Sequence, residues 1–253
     1  MKNPADLASY FSTFLILIIR LSVIMAFLPF FSGKQVPRPF KIGLIIALAY
    51  VLSPVITIDT RSLDLPMIII QEVLLGMAIG FTVRLLFWGV ELAGSMISDG
   101  VGLSIATMLN PEMGRSTTIS TLLNLLAMLL FLVLDLHHDL LFLVVKSYEI
   151  LPITTIRLDN LLKQGILLTS QIFPLAIRIA APVLIGMIII NILMVFVSKA
   201  APQMNIFFIS MPVHLLVGIV ILMLSVPLLI NFLSARFSGL TEEINRIILM
   251  AKG

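Results

Sequence analysis

Two histidines set between two aspartates, Asp135-Leu136-His137-His138-Asp139, form the stretch of this 253-residue chain whose side chains could ligate a metal or pass a proton. Asp135 and Asp139 are four residues apart and share one face of a helix. A zinc site, however, needs three or four ligands held by a second shell, and the remaining histidine, His214, is remote in sequence. The stretch therefore reads as a polar break between two apolar half-helices or as a water-facing corner, and no metal ligand is assigned. Serines occur without a base at a recognisable spacing, so no hydrolytic nucleophile is expected. The absence of cysteine removes disulfides and thiolate ligands. No Gly-Lys-Ser or Gly-Lys-Thr ending marks a phosphate-binding loop. We expect no catalytic residues, no cofactor and no enzyme.

The other residues with chemical potential are charges inside apolar segments: Arg20, Glu72, Arg84, Glu91 and Arg178. Each costs about 2.5–3.5 kcal/mol in a bilayer unless it meets a partner or water, so all five are expected to point inward. Interhelical pairing within an assembly is one reading and a proton relay is the other. Arg84 and Glu91, seven residues apart, lie on one helix face about 10 Å from each other, too far for a direct bond unless both side chains extend. Gly76 and Gly80 form a GxxxG pattern that lets two backbones approach. The interval from Ala93 to Ser120 carries Gly94, Gly100, Gly102, Gly114 and Pro111 and is the least helix-like stretch. Its Met108 and Met113 offer deformable apolar side chains. A pore-facing loop and an ordinary surface connection both fit it.

These residues must be positioned by helices in a membrane. Sixty per cent of the chain is hydrophobic and 11 per cent charged, against roughly half and a quarter in soluble domains. Apolar runs near 20 residues long are read as helices because lipid offers backbone amides no partner. About six such regions run from Tyr10 to Phe31, Ile42 to Ile58, Met67 to Leu92, Thr121 to Val145, Gly165 to Val197 and Ile206 to Leu233. Lys2 and the first run lack a small-residue cleavage site, which predicts a retained helix rather than a signal peptide. Ser32 to Pro39 breaks the chain between helices expected to form a hairpin. The fifth region is too long for an ordinary span, and Pro174 and Pro182 predict a broken or strongly tilted element. Lys199, Pro202, Gln203 and Asn205 mark a turn that folds the fifth and sixth regions into a hairpin.

The net charge of +3 is spread over short loops without a basic face, which argues against nucleic acid. Lys34, Arg38, Lys41, Arg115 and Lys199 fall on one side. Lys2, Arg61, Lys146, Arg157, Lys163, Arg236, Arg246 and Lys252 fall opposite, a slight bias that puts both termini inside.

Taken together, Lys199-Ala200-Ala201-Pro202-Gln203-Met204-Asn205-Ile206-Phe207 and the block from Glu91 to Pro111 resemble the FliR family of flagellar export-gate proteins and its type III secretion counterparts. Val36-Pro37 before Lys41-Ile42-Gly43-Leu44, the Gly76 to Gly80 segment, and His137 through Ser147-Tyr148 to Pro152 follow in the same order. The resemblance covers nearly the whole chain. It implies an all-α membrane protein with kinked helices, a single export-gate domain over 1–253. Residues 1–160 would be FliP-like helices with a plug loop, and 161–253 a FliQ-like hairpin with a C-terminal tail. The implied role is one copy in a closed channel with FliP and FliQ homologues, beside FlhB and FlhA homologues, in the inner membrane at the flagellar basal body. Unfolded flagellar subunits would pass through it. Gly100, Gly102, Met108, Asn110, Pro111, Met113 and Gly114 would contribute to the plug, although Asn110-Pro111 departs from the aspartate-proline expected there. Arg84, Glu91 and Arg178 would contact partner subunits. An injectisome homologue and a small secondary transporter are the competing readings; the proline breaks, clustered in the later region, tell against the transporter.

Overall fold

A computed structural model of the protein describes residues 4–32, 36–56, 65–103, 117–151, 158–203 and 205–252. The chain is an all-helical membrane protein, and the described residues contain no strand. The helices are α1 (Pro4–Phe27), α2 (Pro29–Ser32), α3 (Arg38–Leu52), α4 (Leu65–Val101), α5 (Thr118–Val133), α6 (Leu136–Ile150), α7 (Leu158–Ser170), α8 (Ile172–Ala200), α9 (Ile206–Ser238) and α10 (Leu240–Lys252). By length and composition, four stretches are apolar enough to cross a membrane: Tyr10–Phe27, Leu65–Val101, Asp159–Ala200 and Phe208–Ala251. The pair α5 and α6, bent by 64° at Leu134 and Asp135, makes a fifth when counted as one span.

Several boundaries differ from those expected from sequence, each for a physical reason. The second apolar region folds as a helix of only 15 residues, with Pro39 in its first turn, where a missing N–H costs nothing. At about 1.5 Å per residue it falls short of a 30 Å hydrocarbon layer. The fifth region is interrupted at Gln171, three residues before Pro174. A proline ring excludes the carbonyl four residues upstream, here that of Ser170, so the regular ladder ends there and restarts beyond it. Pro182 is accommodated inside α8. The sixth region continues past Leu233 to Ser238 and on into α10.

The chain divides into two compact units that interleave along the sequence. One comprises 1–85, 131–169 and 237–253, and the other 86–130 and 170–236. In the first, α1 packs on α3, and α10 packs on α6. Leu240, Ile244, Ile247, Ile248 and Ala251 form the buried stripe of α10, at the spacing of one helical face. Phe131 sits between Phe30 at 5.5 Å and Phe237 at 6.1 Å, the latter edge to face. In the second unit, α8 buries Leu175, Ala176, Ile179, Ala180, Val183 and Met187, again one face of a helix.

Candidate functional site

The first unit is organised around a buried arginine. Ile16, Leu17, Leu21 and Ile24 make the buried stripe of α1, and Arg20 stands in the middle of it with 1% of its surface exposed. Its partner is prepared on α4, where Glu72 is fully buried one turn before Gly76. A Cβ on Gly76 would come within 3.0 Å of Val23 Cβ and 3.1 Å of the Arg20 carbonyl oxygen. A Cβ on Gly80 would come within 3.0 Å of Phe27 Cβ and 3.2 Å of Ile24 Cα. The two glycines thus open the groove in which α1 lies, and that approach brings Arg20 within reach of Glu72.

The guanidinium meets the carboxylate in two parallel bonds, Nε to Oε2 at 2.6 Å and Nη2 to Oε1 at 2.8 Å. Helix α6 completes the cluster. Arg20 Nη1 donates to Ser147 Oγ at 2.5 Å, and Ser147 in turn donates to the Val144 carbonyl at 2.6 Å. Tyr148 donates its hydroxyl to Glu72 Oε2 at 2.7 Å, and its ring lies 3.6 Å from Arg20 Cζ. Both carboxylate oxygens are therefore occupied by donors, and the cation is covered by an aromatic face. A guanidinium keeps its proton, so this arrangement is suited to clamping three helices in register rather than to passing protons. The sequence singles out Arg20 and Glu72 but not the structural part of Ser147 and Tyr148. A signal for Ser147 is present: it continues the α6 stripe of Leu136, Leu140, Leu143 and Val144.

The remaining intramembrane charges stand elsewhere. Arg84 and Glu91 are half-buried on α4, and Arg178 is exposed on α8. The glycine-containing interval is helical for longer than its composition suggests, because α4 runs through Gly94 and Gly100 to Val101. Gly94 faces the backbone of Ser120 on α5 so closely that a Cβ would overlap its Cα. Tertiary approach, not looseness, explains that glycine. The helix ends at Gly102, whose φ of +86° places it in the left-handed region. Leu103 N–H bonds Ser98 O at 3.0 Å and Gly102 N–H bonds Asp99 O at 3.1 Å, a paired stop that satisfies the last carbonyls. Met108, Asn110, Pro111, Met113 and Gly114 lie outside the described residues.

Helices α8 and α9 meet as a hairpin in the second unit. Lys199 occupies the last turn of α8, Pro202 and Gln203 form an exposed turn, and the Asn205 carbonyl accepts the Phe208 N–H at 3.2 Å to open α9. Gly186 sits directly under the Ile221 side chain, and Gly218 under that of Val101. His214 bridges the pair, with Nε2 2.6 Å from Asn191 Oδ1 and Nδ1 2.6 Å from the Ser210 carbonyl.

The pattern that matches this chain is that of the bacterial export proteins, family 1, over residues 11–240. The chain belongs to that family. Among its relatives, the flagellar biosynthetic protein FliR of Buchnera aphidicola subsp. Acyrthosiphon pisum is 30% identical over 252 residues, covering 98% of each chain. The FliR of Caulobacter vibrioides is 30% identical over 213 residues, 81% of this chain and 85% of its own. The FliR of Escherichia coli K12 is 29% identical over 244 residues, 91% and 90% respectively. As a member of the export family with FliR relatives along its length, the protein is a membrane component of flagellar export.

Proposed function

We propose that the chain is one subunit of a non-enzymatic export gate, assembled with FliP and FliQ homologues into a closed channel in the inner membrane at the flagellar basal body. Unfolded flagellar subunits cross through that channel, and FlhB and FlhA homologues stand beside it. The observation that carries this reading is the similarity to flagellar FliR proteins along almost the entire chain. It favours a flagellar over an injectisome system, since the relatives described above are all flagellar biosynthetic proteins.

The geometry adds support. The exposed faces of α8 and α9 carry large apolar side chains, among them Ile188, Ile192, Phe196, Leu216 and Leu224, which need lipid or sister subunits to cover them. Arg178 is exposed on α8 and, on this reading, meets a partner's carboxylate. On this reading the segment after Gly102, the residue whose left-handed backbone ends α4, supplies the plug through Met108 to Met113.

Tagged protein co-expressed with the FliP and FliQ homologues is expected to bring both down in stable stoichiometry. Recovery of the chain alone, as a monomer that moves a small solute in vesicles, would reject the gate and restore the transporter. Within the assembled complex, neutralising Arg84, Glu91 or Arg178 is expected to reduce recovery of the partners. Deleting 108–113 should raise ion leakage through the assembled gate, and unchanged conductance would remove the plug from the account.

A further inference from the structure

The corner between α5 and α6 gathers donors into one small volume. Asp135, His137 and His138 each offer one ligand atom, and these atoms lie within 4.8 Å of one another. Four-coordinate zinc with bonds of about 2.0–2.1 Å separates its ligand atoms by about 3.3–3.4 Å. Asp135 Oδ1 and His138 Nδ1 already stand 3.6 Å apart. His137 carries an independent sign: its Nδ1 is buried and, among the described residues, has no hydrogen-bond partner. Buried polar atoms are seldom left so, and a metal ion that accepts the nitrogen lone pair is one partner that would satisfy it.

Two further features fit. Asp135 adopts φ +56°, the one positive value among the described non-glycine residues. Such a backbone is costly for a side chain and is retained where surrounding structure demands it. His137 also lines an apolar cavity of about 320 Å³, with Leu28, Phe131 and Leu140 among its walls. Asp135 and His138 remain largely exposed, at 75% and 69%, and leave an entry path. The positive end of α6 opposes a cation here, and the Asp135 carboxylate offsets it.

The geometry points to a divalent-metal site at this corner, with Asp135, His137 and His138 as ligands and the fourth position open to water. Two imidazoles and one carboxylate suit zinc over magnesium or calcium, which prefer all-oxygen shells. Bound there, the ion would pin the 64° bend between α5 and α6. The objection raised from sequence, that His214 is too remote to complete the set, loses its force because the three neighbours suffice.

The test is equilibrium dialysis of the full-length chain in detergent micelles, without a polyhistidine tag, against buffered Zn2+ in excess Mg2+. One ion per chain is expected. Asp135→Asn and His138→Ala, both at exposed positions that spare the fold, should each weaken binding by more than the roughly 10- to 100-fold that loss of an outer-shell partner costs. His214→Ala should leave it unchanged, and Co2+ in place of zinc should give the visible absorption of a four-coordinate site that His138→Ala abolishes. Substoichiometric binding would overturn the proposal, and so would tight binding that survives both substitutions or vanishes in His214→Ala.

Discussion

At the residue scale, the Arg20 cluster is where a single atom matters most. Removing one member of a buried, bidentate pair strands the other charge in an apolar interior, which costs about 3–5 kcal/mol, whereas exchanging both for apolar groups of similar size is close to neutral. Arg20→Met is therefore expected to lower the unfolding temperature in detergent sharply or to abolish recovery of monodisperse protein. The double variant Arg20→Met, Glu72→Met should regain a large part of that loss. Equal damage in the single and double variants would show that the pair does more than neutralise itself. Tyr148→Phe removes one donor to a carboxylate that keeps two others, so a smaller loss of about 1.5–3 kcal/mol is expected. The charges of this cluster are legible in the sequence because an arginine or glutamate inside an apolar run is conspicuous. Tyr148 is not, since nothing in its neighbours tells which of its two faces meets a guanidinium from a helix far earlier in the chain.

At the scale of elements, the glycines separate into two kinds that composition alone cannot distinguish. Gly76, Gly80 and Gly94 stand where another helix's atoms leave no room, whereas a methyl group at Gly43 or Gly165 would meet nothing within 4 Å. Gly165→Ala and Gly43→Ala should stabilise the protein slightly, by about 0.5–1 kcal/mol each, through reduced backbone freedom. Gly94→Ala should be strongly destabilising, because the obstacle is the Ser120 backbone and cannot rotate away. Thermal melts of the three variants side by side check both signs. The same distinction explains why α4 looks shorter in sequence than it is: Gly94 and Gly100 count as helix breakers until it is known that Gly94 makes room for α5 and Gly100 lies against Leu184 of α8. Amphipathic α10 escapes a search for long apolar runs, since Glu242, Glu243, Asn245 and Arg246 interrupt its buried stripe. The α8–α9 hairpin, by contrast, is plain from two apolar stretches flanking a proline-containing polar turn.

At the scale of the whole molecule, helix length and bilayer thickness do not match. Helix α4 has 37 residues, about 55 Å at 1.5 Å per residue, and the stretch from Phe208 to Ala251 has 44. Hydrocarbon about 30 Å thick covers only part of either, so the remainder tilts or projects into headgroups, water or neighbouring subunits. The lack of native cysteine makes this measurable with single introduced thiols. For the chain expressed alone in membranes, Ile188→Cys in the middle of exposed α8 should resist an impermeant maleimide, and Gln203→Cys in the turn should react from one side only. Reaction of Ile188→Cys from water would mean that α8 lies outside lipid. Apolar content and helical class are readable without coordinates; depth is not, because hydropathy reports solubility in oil and not which oil, lipid tail or sister protein, covers a face.

The separation between Arg20 and its neutralising carboxylate also has a bearing on biogenesis. Arg20 leaves the ribosome 52 residues ahead of Glu72 and 127 ahead of Ser147. At roughly 5–20 residues per second, the guanidinium waits several seconds for its first counter-ion and longer for its second donor. Throughout that delay α1 released into lipid would carry an orphan cation at a cost of about 2.5–3.5 kcal/mol, which favours its retention beside the translocation channel until α4 is synthesised. The nascent chain is thereby biased to enter the membrane as a group of helices rather than one at a time.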